Sequence, residues 1–126
     1  MKKVEWRMQN GKNLKDRTKS FALRVIRMYS ALPKSTASQV MGKQVLRSGT
    51  SVGANYREAD RARSKAEFIA KMGDCLKELD ETSYWLELIG ESGTVPVQKL
   101  AELHQETQEL IAIFTTIIKN AKANLK

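Results

Sequence analysis

Apolar residues recur along the chain at alternating steps of three and four, the rhythm of helices that bury one face. Leu14, Thr18, Phe21, Val25, Met28 and Leu32 form the first stripe and predict a helix over 14–32. Asn13 suits its N-cap, and Pro33 ends it, because the residue before a proline is pushed out of the helical region. Met41, Val45, Gly49, Val52, Tyr56 and Ala59 predict a second helix over 36–63, with Thr36 and Gln39 at capping-box spacing. Phe68, Met72, Cys75, Leu79, Thr82, Leu86 and Ile89 predict a third over 65–90. Ser64 with Glu67 opens it, and Gly90-Glu91-Ser92-Gly93 closes it. The fourth spans 96–123, with Pro96 in a position suited to a first turn and Leu100, Leu103, Thr107, Leu110, Phe114, Ile117 and Ala121 as its seam. No stretch shows the period of a strand.

Four such helices joined by short turns predict an all-α, antiparallel, up-down-up-down four-helix bundle over residues 13–126. Residues 1–12, MKKVEWRMQNGK, keep no period and read as a basic N-terminal arm. Trp6 there is a base-stacking candidate, against the plainer reading of a frayed terminus or short docking segment.

Charge changes the picture most. The formal net charge of the chain is +8. Residues 1–71 hold seventeen Lys/Arg against five Asp/Glu, and residues 72–126 hold five against nine. A basic half and an acidic half in one small domain imply a side facing a polyanion, or subunits whose opposite charges meet. Cys75 is the only cysteine, so no intrachain disulfide can form, and it reads as a small buried hydrophobe. No apolar run reaches the roughly 20 residues of a bilayer span, and the N-terminus lacks a signal-type apolar core. The expected setting is the cytoplasm, without membrane contact.

The stretch Gln44–Ala59 carries Ser48, Gly49, Thr50, Ser51 and Gly53 and invites comparison with a phosphate loop. No strand precedes it and no Gly-Lys-Ser/Thr follows, so it reads as helix interior. Each glycine costs about 1 kcal/mol there against alanine, which implies a close approach by another element or a local bend. Arg47, Ser51, Asn55 and Glu58 line one ridge of the second helix, and Lys71, Asp74, Glu78, Glu81 and Trp85 line one of the third. Such ridges predict a polar network between helices or subunits. Glu78 and Glu81 alone do not make a di-metal site, since His104, the only histidine, has Ala101 rather than Glu three residues before it. No catalytic residue, metal or cofactor is expected. Tyr84-Trp85 reads as core plus interface before it reads as a stacking platform. The candidates for phosphate contact are Lys15, Arg17, Lys19, Arg24, Arg27, Arg57, Arg61, Arg63 and Lys65.

The run LRSGTSVGANYREADRARSKAEFIAKMGDCLKELDETSYWLELI over residues 46–89, with Phe21-Ala22 and Leu32-Pro33 upstream, resembles the bacterial four helix bundle protein family, encoded in intervening sequences of 23S rRNA genes and elsewhere. The resemblance covers roughly residues 14–120 and is carried by positions such as Arg47, Ser51, Asn55, Glu58, Glu78, Glu81, Thr82 and Trp85. It implies a bundle that assembles as a homopentameric ring. The family is similar in fold to the accessory variability determinant of diversity-generating retroelements, a basic pentamer that binds nucleic acid and a reverse transcriptase. Two roles are therefore expected: a non-enzymatic oligomer that binds RNA or DNA, or a protein-interaction adaptor with a reverse transcriptase or similar partner.

Overall fold

The computed structural model describes residues 14–123. It contains α1 (Leu14–Ser30), α2 (Thr36–Asp60), α3 (Lys65–Glu91) and α4 (Val97–Ala123), with no strand among the described residues. The arm of residues 1–12 and the Asn13 cap lie outside them.

The helices end where backbone partners run out. α1 stops at Ser30, two residues before the expected end, because the last turn tightens. Ala31 N donates to Met28 O and Leu32 N to Tyr29 O, both at 3.1 Å, and Pro33 has no N–H to continue. α2 stops at Asp60 rather than Arg63 for the same reason. Arg61 N and Ala62 N reach back only three residues, to Glu58 O and Ala59 O, and Ser64 is already extended as the next cap. Ser35, not Thr36, caps α2, its Oγ accepting from Ser38 N at 3.2 Å. Gln39 Nε2 goes to Pro33 O instead, so the expected box does not form. Ser64 Oγ does accept from Glu67 N, at 3.1 Å. α3 runs one residue past the expected end, to Glu91, and Gly93 turns the chain with φ of 78°. Pro96 lies just before α4, its carbonyl accepting from Lys99 N at 2.9 Å.

Consecutive helices are antiparallel and form a square in which α1 closes against α4 along the thinnest seam. Gly42 of α2 meets Tyr29 of α1 and Leu32 of the turn after it, while Gly53 meets Thr18 at the other end. The sequence-predicted stripes face inward almost entirely, with only Met28 and Met41 partly exposed. The core is built on Phe21, Val25, Val45, Val52, Met72, Leu79, Leu86, Leu110 and Phe114. The Tyr56 ring meets Phe114 edge-on, with centroids 6.0 Å apart. At Gly49 a Cβ would stand 2.8–3.2 Å from Val25 Cγ2, Cγ1 and Cβ. The three glycines of α2 thus serve its approach to α1 and the turn after it within one chain. No helix is long and apolar enough to cross a membrane, among the described residues.

Candidate nucleic-acid interface

The C-terminal turns of α2, the short connection and the first turns of α3 enclose an open concavity of about 540 Å³. Arg57, Arg61, Arg63 and Lys71 line it together with Ala54, Glu58 and Glu67. The fold places them there through spacing. Arg57 and Arg61 are one helical turn apart, and the turn to Ser64 brings Arg63 back over the same corner. Lys71 Nζ donates to Glu58 Oε1 at 2.7 Å, which raises the lysine pKa. Arg57, Arg61 and Arg63 are exposed and make no ion pair among the described residues. Three guanidinium groups are therefore available to an outside anion.

The remaining basic candidates scatter. Lys15 and Lys19 are exposed near the start of α1. Lys65 is half-buried at the start of α3. Arg27 lines a separate concavity with Met28, Pro33, Val95 and Lys99. Arg17 is not free: its Nε and Nη2 donate to Glu106 Oε2 and Oε1 at 2.8 and 2.7 Å, and Nη2 also reaches Glu109 Oε1 at 2.9 Å. The Glu106 hydrogen bond, above all, holds this guanidinium more firmly protonated than usual. Arg24 lines a groove with Glu102, Glu106 and Glu109, two of which Arg17 engages, so the α1–α4 seam interleaves arginines with glutamates. That groove went unseen in the sequence, because the arginines of α1 and the glutamates of α4 lie some 90 positions apart.

The polar ridges meet only in part. Arg47 Nη1 donates to Glu78 Oε1 at 3.2 Å, and its Nη2 pairs with Glu81. Trp85 Nε1 donates to Glu81 Oε2 at 3.2 Å. The indole bond first, then the arginine, pulls the Glu81 pKa below the usual carboxylate range. Beneath this surface, Ser48 Oγ and Thr82 Oγ1 share a buried hydrogen bond of 2.8 Å, which the periodicity had not singled out. Ser51, by contrast, returns its hydroxyl to Arg47 O of its own helix at 2.7 Å, and the Asn55 side chain has no partner among the described residues. The α2–α3 ridge is thus fastened by Arg47, Glu58, Lys71, Glu78, Glu81 and Trp85.

Other chemistry is sparse. Cys75 is buried, with its Sγ 3.6 Å from Val52 O, and burial pushes its pKa up to about 12. Ser83 Oγ lies 3.3 Å from His104 Nε2 and accepts from Gln108 Nε2 at 2.9 Å. Ser83 sits mid-helix, where backbone N–H groups are committed to the preceding turn, so this pair adjoins no oxyanion-binding donors. No cluster of three or more His, Cys, Asp or Glu among the described residues is placed to hold a metal ion.

A family model described as 23S rRNA-intervening sequence protein matches residues 13–116. A crystal structure from Bacteroides thetaiotaomicron, of a protein with unknown function from the S23 ribosomal protein family, superposes with a TM-score of 0.78. It is 41% identical, and the match covers 83% of this chain and 97% of that one. No functionally curated protein matches.

Proposed function

Because the chain belongs to the 23S rRNA-intervening sequence protein family, we propose that it is a non-enzymatic accessory protein that binds RNA or DNA through phosphate contacts. The observation that carries this reading is the corner where Arg57, Arg61 and Arg63 line one open concavity and make no ion pair among the described residues. Lys15 and Lys19 add exposed charge on α1. Guanidinium groups held this way neutralise phosphates and release counterions, giving affinity with little base discrimination. In a homopentameric ring, as the resemblance implies, the corner would occur five times, and weak contacts would gain by avidity. Exposed Leu23, Ile26, Val40 and Tyr84 on the outer faces are compatible with such assembly.

Light scattering of the purified protein, with the 260/280 nm absorbance ratio of the same peak, tests assembly and bound nucleic acid together. Anisotropy titrations with labelled RNA and DNA at several salt concentrations then test the interface. Binding that weakens steeply with salt is expected, and no binding at low salt would overturn the reading. Exposed Asp74, Asp80, Glu87 and Glu91 on α3 and Glu102 on α4 favour a second role, as a docking face for a basic protein such as a reverse transcriptase. A protein partner would survive nuclease treatment during co-purification, whereas an RNA-bridged one would be lost.

A further inference from the structure

The shape of the arginine corner carries more than general affinity. A surface that tracks a nucleic-acid backbone spreads its cations in a strip, one to each successive phosphodiester. Here Arg57 from α2, Arg61 and Arg63 from the connection and Lys71 from α3 surround a single concavity. Four cations stand against the two carboxylates Glu58 and Glu67, a local charge of +2. Glu58 is engaged with Lys71, so the three arginines hold the unmatched charge. An internal phosphodiester carries one negative charge and is flanked on both sides by chain. A terminal phosphate monoester carries nearly two near neutral pH and offers three oxygens to forked donors. The site has the charge of the second.

We propose that this corner binds the phosphate monoester at the end of a nucleic-acid strand, in preference to phosphates within it. Arg57, Arg61 and Arg63 take the terminal oxygens, beside Lys71, which is paired with Glu58 and lines the same concavity. The inference rests on the nucleic-acid reading above, but it can fail separately. Glu67 also lines the concavity, and its carboxylate disfavours crowding several phosphates of a continuous strand into it.

The test uses one short single-stranded RNA in three forms, with a 5′-phosphate, a 3′-phosphate or hydroxyls at both ends, titrated against the full chain by anisotropy. Roughly tenfold tighter binding of a phosphorylated form is expected, the gain of one charge-assisted contact set. The two phosphorylated arms tell which end the corner takes. The preference should vanish in Arg57→Ala/Arg61→Ala/Arg63→Ala, with helical circular dichroism unchanged, and persist in Lys19→Ala. Arg61→Gln, milder still, should reduce it part-way. Equal affinity for all three forms would overturn the end-binding inference while leaving nucleic-acid binding intact. A preference that survives the triple substitution would overturn the assignment to this corner. No binding of any form would overturn both.

Discussion

Arg17 of α1 lays its guanidinium side-on against the carboxylate of Glu106 of α4, with two parallel hydrogen bonds of 2.8 and 2.7 Å. This bidentate pair spans the thinnest seam of the bundle, where few other contacts hold the first helix to the last. The Arg17 side chain is 32% exposed and that of Glu106 16%, so solvent screens the pair only partly. Arg17→Ala should lower stability by about 1 kcal/mol, seen as a fall of roughly 4 °C in Tm by calorimetry. It should change nucleic-acid affinity less than Arg61→Ala does, because the Arg17 charge is already matched within the bundle.

The arginine corner should show itself in salt dependence. Removing one phosphate contact lowers the slope of log K against log salt by about 0.7 to 0.9. Arg57→Ala and Arg61→Ala should each reduce it by about that amount. Arg47→Ala, which removes a guanidinium engaged by Glu78 and Glu81, should leave it nearly unchanged. Titrations at four or five salt concentrations would measure all three.

Two glycines should respond in opposite directions to the same substitution. Alanine at Gly49 meets Val25, whose branched side chain has essentially one rotamer in a helix and cannot swing aside. The overpacking costs about 1–3 kcal/mol against a propensity gain of about 1, so Gly49→Ala should destabilise. A Cβ at Gly73, in α3, meets nothing within 4 Å. Gly73→Ala should therefore stabilise by up to about 1 kcal/mol. Urea midpoints of the two variants would settle the contrast.

Glu81 links the α2–α3 seam to acid. Its pKa is lowered in the folded state, chiefly by the Trp85 indole and then by Arg47. A carboxylate with a depressed folded value contributes stability above its unfolded value, near 4.5, and loses it as pH falls through the folded one. Denaturation midpoints should therefore drop below about pH 4.5, and Glu81→Gln should flatten that drop while lowering stability at pH 7. Equal acid slopes in the two proteins would contradict this assignment.

Cys75 should be inert while the chain is folded. Burial raises its pKa to about 12, so little thiolate exists at pH 8 and none is accessible. Native protein should react with a disulfide reagent only at the rate of unfolding, and protein in denaturant within seconds.

Much of the fold could be read from periodicity, because a bundle buries its stripes in chain order and each stripe belongs to one helix. Phe21, Val52, Leu79 and Phe114 announce themselves in this way. Helix ends were less legible, since they depend on which residue supplies the last donor; Ser35 rather than Thr36 caps α2 because its backbone is already extended. The site was legible only halfway. Arg57 and Arg61 share a face by spacing alone, whereas Arg17 resembled them until folding set Glu106 opposite it. Ser51 and Asn55 share a ridge with Arg47, yet Ser51 binds its own backbone and Asn55 finds no partner among the described residues. Spacing places a side chain on a face without saying what comes to meet it.

The seam between α2 and α3 and the seam between α4 and α1 lie on opposite sides of the square. Each is clasped by one arginine set between two glutamates, Arg47 with Glu78 and Glu81 on one side and Arg17 with Glu106 and Glu109 on the other. Neither edge of the bundle can open without parting a guanidinium from two carboxylates.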